Sequence, residues 1–314
     1  MTAAFRSIAA RLRGGDLVAH AGASIFGGAV VGLTGLLAWE LWRNSALARH
    51  QFGWAFLTSQ TWDPAGARFG AAAFVYGTLM TSAIALAIAV PLGIGVAIFL
   101  AELAPRRLSS VAGALVELLA AVPSVVYGLI GLSVLVPAMR QWIQPWLKTV
   151  TGGFALFSGP AYGIGLLTAG VVLAVMIVPF IVSVSREVLL AVPGEQREAA
   201  LALGSTRWES TWKVVLPYAR PGLYGAVFLA LGRALGETMA VTMVIGNRPE
   251  IAASLFAPAY SMAAVIANEF SEATEEIYLH ALIEVGLVLF ALTMVINAVA
   301  RALIAATDHS GGAR

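Results

Sequence analysis

The chain has 314 residues, of which 59% are hydrophobic and 11% charged, with a net charge of +2 and a mean hydropathy of +0.85. Soluble globular domains carry about a quarter charged residues, so a soluble globule is excluded and a bilayer protein is indicated. Basic residues are spread along the chain rather than gathered into a surface for nucleic acid, and the absence of cysteine excludes disulfides, thiolate catalysis and Cys-based metal sites.

Taken in chain order, uncharged runs cover 17–39, 69–101, 118–139 and 149–185. Each is long enough for the roughly 20 residues of a membrane helix. Two further spans carry charges: 221–246 contains Arg233 and Glu237, and 277–300 contains His280 and Glu284. The pattern predicts an all-α, polytopic membrane bundle of six transmembrane helices, because an outer-membrane barrel would show short segments of alternating polarity instead. Arg6, Arg11 and Arg13 precede the first run as in a signal peptide. That run exceeds an ordinary signal core and no A-x-A site follows, so it reads as an anchor.

With the N-terminus inside, Lys and Arg fall mostly on the inner loops, among them Arg106, Arg107, Arg186, Arg197, Arg207, Lys213, Arg220, Arg301 and Arg314. The outer side holds Arg43, Arg49, Arg68, Arg140, Lys148 and Arg248, together with the acidic residues from Glu250 to Glu276. Both termini are therefore expected to be cytoplasmic. The expected division is an inner N-terminal segment 1–16, a single membrane domain 17–304 and an inner tail 305–314. Within spans, Pro91, Pro123 and Pro179 are expected to kink helices, and Gly93, Gly95, Gly128, Gly131, Gly163, Gly165 and Gly232 to let helices approach.

A charged, helix-compatible loop at about 191–220 interrupts the apolar chain. Pro193 and Gly194 lead into a helix over 195–203, and Gly204 can take the left-handed conformation that ends it. Ser205 or Thr206 is placed to cap a second short helix carrying Trp208, Trp212 and Val215 on one face and stopped by Pro217. The product is a helix-turn-helix on the membrane surface, with the tryptophans as anchors among lipid headgroups. Ala199 and Ala200 keep one face low enough for a partner backbone, while Glu198 offers a carboxylate. An amphipathic loop stabilised only by its own charges is the alternative reading.

Farther along, Arg233 and Glu237 stand at i and i+4, on one face of a helix. Charges inside a span face each other or a watery path. One reading is a self-neutralising pair that pins the helix; the other is an anion site, since the guanidinium fork suits a tetrahedral oxyanion. Glu237 would then accept the proton that phosphate carries at neutral pH and repel sulfate, which has none.

The motif Glu198-Ala199-Ala200, Gly204 and Val214-Val215-Leu216-Pro217 resembles the EAA loop of permease subunits in binding-protein-dependent ABC importers, with Val214 where isoleucine is commoner. The resemblance implies a type I ABC importer permease fold and assigns Glu198, Ala199, Ala200, Gly204, Leu216 and Pro217 to coupling with an ATPase. No G-x-x-x-x-G-K-[ST] loop occurs in the chain. ATP and Mg are thus expected on a partner subunit, with no cofactor here.

Residues 232–241 (Gly-Arg-Ala-Leu-Gly-Glu-Thr-Met-Ala-Val), 117–129, 76–79 and 89–93 are similar to the permease pair of the phosphate-specific importer. The extended N-terminal region with Trp62-Asp63-Pro64 looks more like the PstC branch than the PstA branch. This resemblance implies a bacterial inner-membrane complex with a PstA-like second permease, two copies of a PstB-like cytoplasmic ATPase and a PstS-like phosphate-binding protein outside. Arg233 and Glu237 are then expected in the phosphate path. A molybdate or sulfate permease shares the EAA loop, and an ion-coupled secondary carrier would explain the two intramembrane charges but not the loop. An intramembrane hydrolase is disfavoured because His20, His50, His280 and His309 are scattered.

Overall fold

The computed structural model describes residues 2–311, with side-chain surroundings over 19–305; Arg6, Arg11, Arg13, His309 and Arg314 lie outside those side chains. Among the described residues, six helical segments have the length and apolarity to cross a bilayer. α1 (Thr2–Asn44) supplies the first, Ala19–Asn44. Short helices α2 (Ala46–Phe52) and α3 (Ala55–Thr58) turn the chain back into α4 (Ala72–Ile98), which a π-turn at Phe99–Leu103 extends to the end of the second span. α5 (Arg106–Ala120), α6 (Ser124–Ile130), α7 (Val136–Ala138) and α8 (Gln144–Val150) follow, the last three joined by π-turns into the span Ser124–Val150. α9 (Leu166–Leu190) is the fourth span. The charged loop holds α10 (Gly194–Ala202) and α11 (Arg207–Ser210), and a π-turn at Thr211–Val215 leads into α12 (Leu216–Leu235). α13 (Met239–Ile245), α14 (Met262–Glu269) and α15 (Glu276–Gly311) complete the chain.

Several boundaries differ from those that hydropathy predicts. The third span begins at Ser124, and the residues before it form the separate helix α5, because Pro123 lacks the N–H needed to continue one helix and instead opens α6. Pro123 is therefore a break between helices, whereas Pro91 and Pro179 lie inside α4 and α9. The fourth span begins at Leu166 rather than near 149. The intervening stretch is apolar enough to pass for membrane, yet Gly152, Gly153, Gly159, Gly163 and Gly165 all have positive φ, and it forms turns. Arg140 and Lys148, expected in an outer loop, belong to the third span.

α4 and α9 pack along their length and, with α12 and α13, enclose the main core, which includes Ala85, Ala89, Leu173, Ile177, Ile181, Ala230 and Val244. Small residues set the separation: a Cβ on Gly93 would meet the Ile181 side chain within 2.6 Å. Lipid tails are as apolar as leucine, so such close packing rather than water exclusion drives association of membrane helices. Gly95 and Gly232, by contrast, have open space where a Cβ would stand. A second cluster joins α2, α3 and the start of α4 to α14 and α15, and a third lies beneath the charged loop. α1 packs on α15 and leaves Ile25, Phe26, Val30 and Leu37 exposed, an apolar face suited to lipid.

Candidate coupling surface and anion path

Pro193 is the N-cap of α10, and the helix ends where Gly204 reaches φ +88°. The Ser205 N–H donates to the Ala200 carbonyl at 3.1 Å and the Gly204 N–H to that of Leu201 at 3.0 Å, the paired closure of a Schellman motif. Thr206, not Ser205, caps α11. Its hydroxyl accepts from the Glu209 N–H at 3.3 Å, while Glu209 Oε2 accepts from the Thr206 N–H at 2.9 Å.

Ala199 and Ala200 divide their roles. Ala200 is 7% exposed, whereas Glu198 and Ala199 face outward beside Leu203, which is 88% exposed. Val215 and Leu216 are buried with Ala97, Leu189, Val192, Ala219 and Leu223. The expected stop at Pro217 is overturned: the π-turn Thr211–Val215 carries the helix into α12, where Pro217 takes a first-turn position that needs no N–H. Val215 does not share a face with the tryptophans as expected: it is buried, while Trp208 and Trp212 are exposed. Those two rings meet edge to face at 5.6 Å and line, with Pro91, Ile98, Phe99 and Leu103, an open apolar groove of about 470 Å³.

Arg197, expected only as one of the inner-loop bases, and Glu102, which had no expected role, fasten this loop to the bundle. Arg197 donates from Nε and Nη2 to the Glu102 carboxylate, the shortest contact being 2.8 Å, and from Nη1 and Nη2 to the carbonyls of Val192 and Leu189, both at 2.6 Å. The lone carboxylate ending the second apolar run was the available signal for Glu102.

Arg233 and Glu237 do not share one helix. α12 ends at Leu235, Gly236 turns, and Glu237 and Thr238 precede α13. Among the described residues no ion pair joins Arg233 to Glu237 within 4.0 Å. Glu237 Oε1 instead accepts from the Ala240 N–H at 3.2 Å, holding the start of α13. Arg233 is exposed, with its guanidinium carbon 5.8 Å from the centre of the Phe180 ring. α6 packs against α13, with Gly128 facing Ala240 and Met243, so the break at 121–123 lies near the break at 236–238. Tyr127 ties off the first break by donating to the Leu119 carbonyl at 2.8 Å.

The family of binding-protein-dependent transport system inner membrane components matches residues 89–310. The phosphate transport system permease protein PstC of Mesorhizobium japonicum is 49% identical over 302 residues, covering 95% of this chain and 92% of that protein. PstC of Pasteurella multocida is 49% identical over 265 residues, 83% of this chain and 82% of that one. Among solved structures, a bacterial alginate ABC transporter in complex with its alginate-bound periplasmic protein superposes with a TM-score of 0.57 at 15% identity, covering 83% of this chain and 86% of that one. The MetNI methionine ABC transporter in an inward-facing conformation gives 0.52 at 21% identity, covering 75% and 96%. Those two likenesses show the ABC importer permease fold. The chain belongs to the family of binding-protein-dependent transport system inner membrane components, in its PstC branch.

Proposed function

We propose that this chain is one of the two permease subunits of an ABC importer that moves inorganic phosphate across the bacterial inner membrane. The observation that carries the reading is Arg233: an exposed guanidinium at a helix break, unpaired with Glu237 in this chain. The identity to PstC permeases over nearly the whole chain supports phosphate as its anion. A phosphate oxyanion accepts from Arg233, and its remaining proton is offered to Glu237.

The charged loop lies on the cytoplasmic side in this reading, and so do both chain ends. Glu198, Ala199, Leu203 and Gly204 form the surface that a separate ATPase subunit grips, with Leu216 and Pro217 rooting that surface in α12. Two ATPase copies bind and hydrolyse ATP with Mg, a PstA-like permease completes the path, and a PstS-like protein delivers phosphate from outside. Closure of the ATPase pair moves α10 and exchanges access between the two sides.

The test is labelled phosphate uptake in cells lacking their own phosphate importers, with this chain supplied alongside its cognate partners. Uptake that needs the ATPase subunit, resists excess sulfate and molybdate, and falls about ten- to a hundredfold in Arg233→Gln is expected, since losing a charge-assisted contact costs about 1.5–3 kcal/mol. Uptake driven by a proton gradient without the ATPase would instead establish a secondary carrier.

A further inference from the structure

The charged loop is joined to the bundle by covalent chain at only two places: α9 enters α10 through Ala191–Pro193, and α11 leaves into α12. Both connections pack on the end of α4 through apolar side chains, Val192 and Val215 lying with Ala97, and α4 in turn packs along α9 and lines the core facing α12. Among the described residues, the hydrogen bonds that run from the loop to the end of α4 come from one side chain. Arg197, on α10, places its fork on the Glu102 carboxylate in the π-turn that ends α4, while the same guanidinium caps the last carbonyls of α9 through Leu189 and Val192.

We infer that Arg197 and Glu102 are positioning residues for transport, forming the contact through which movement of α10 is passed to α4. The inference rests on the importer reading above. Three features give the contact this character. Glu102 is shielded, its side chain 9% exposed against 23% for Arg197, so the pair is not loosened by water as a surface pair is. The guanidinium is planar with donors fixed in direction, so it transmits rotation as well as translation. Finally, Glu102 sits in the π-turn Phe99–Leu103 that ends the second span, a break in regular helix of the kind often found at functional sites. Beside the pair, Ala200 seats α10 on the bundle, leaving Glu198 and Ala199 outward, so the face that receives the push and the face that passes it on are opposite sides of one short helix.

The experiment uses the whole complex in proteoliposomes, with its ATPase, second permease and phosphate-loaded binding protein, and reads phosphate imported per ATP hydrolysed at equal amounts of assembled complex. In Arg197→Met and in Glu102→Gln the ratio is expected to fall about tenfold, within the range by which contacts along a coupling route change coupling. The double variant is expected to be no worse than the poorer single, because both remove one contact. Arg197→Lys, which keeps the charge but not the fork, should fall between wild type and Arg197→Met. It carries the test together with Glu102→Gln should Arg197→Met not assemble. A wild-type ratio in Arg197→Lys and Glu102→Gln, or losses that multiply in the double variant, overturns the inference while leaving the importer intact. A wild-type complex with no ATP-dependent uptake overturns the importer reading and this inference with it.

Discussion

A guanidinium inside a membrane span is costly to hold unless a charge is nearby or an anion visits it. Arg233 stands about 26 Å along α12 from Leu216, at ~1.5 Å per residue, two residues before the end of the fifth span. In this chain it lies over the Phe180 ring at 5.8 Å, a weak contact. Glu237 accepts from the Ala240 N–H through one oxygen, and in the proposed path its other oxygen would take a ligand proton. Glu237→Gln separates the two duties, since an amide oxygen can still hold Ala240 but the amide nitrogen meets an anion as a donor. Phosphate uptake by that variant should therefore persist, while inhibition by sulfate strengthens about tenfold, the ~1.4 kcal/mol of one misplaced hydrogen bond. Sulfate competition curves on cells carrying wild type and Glu237→Gln decide it: superimposed curves exclude Glu237 from selection between the anions.

α10 is an element whose ends matter more than its middle. Its Schellman closure needs Gly204 at φ +88°, and nothing lies within 4 Å of the place a Cβ would take. A substitution there strains the backbone without any clash. Gly204→Val is expected to cost on the order of 1–3 kcal/mol in the loop and to weaken binding of the ATPase subunit by about tenfold or more. Gly204→Asn, whose side chain tolerates the left-handed region, should stay near wild type. Titrating purified ATPase subunit against the permease pair in nanodiscs gives the comparison, and equal affinities for the two variants would show that the turn is not what the partner grips.

This element was largely legible in the sequence because its signals are local: a proline entry, a glycine exit and a threonine with glutamate three residues on. The fifth span was not. Gly236-Glu237-Thr238 keeps helical spacing, and only the tertiary placement of α13 against α6 shows that the helix stops there. The π-turns at Phe99–Leu103 and Thr211–Val215 have no signature in composition either. Arg197 and Glu102 lie 95 positions apart, so their pairing waits on how α9 lies against α4.

At the scale of the molecule, the two ends of the bundle are built from different chemistry. The loop end is charged and joined through Arg197. The opposite end is aromatic: Phe69 stacks on Tyr278 at 5.4 Å, and Trp62 meets Phe69 and Phe74 edge on at 4.9 and 4.8 Å. One carboxylate organises that cluster, because Glu269 Oε2 accepts from Trp62 Nε1 at 2.7 Å and from the Tyr278 hydroxyl at 2.6 Å. It thereby ties the segment before α4 to α14 and α15. Burial also pushes the nearby Tyr260 phenol up, so it remains neutral and accepts from the Asn268 amide at 3.0 Å. A cluster of interlocked rings resists deformation, which suits a frame rather than a moving part. Glu269→Ala strands two partly buried donors and should lower stability by about 2–6 kcal/mol at ~1–3 kcal/mol for each, whereas Glu269→Gln, which keeps an acceptor, should lose less. Thermal denaturation of the solubilised complex reads this directly. In the fraction that remains folded, phosphate imported per ATP should match wild type, the reverse of the pattern expected for Arg197→Met. A fall in that ratio for Glu269→Ala at unchanged thermal stability would move the aromatic end from the frame into the transport cycle.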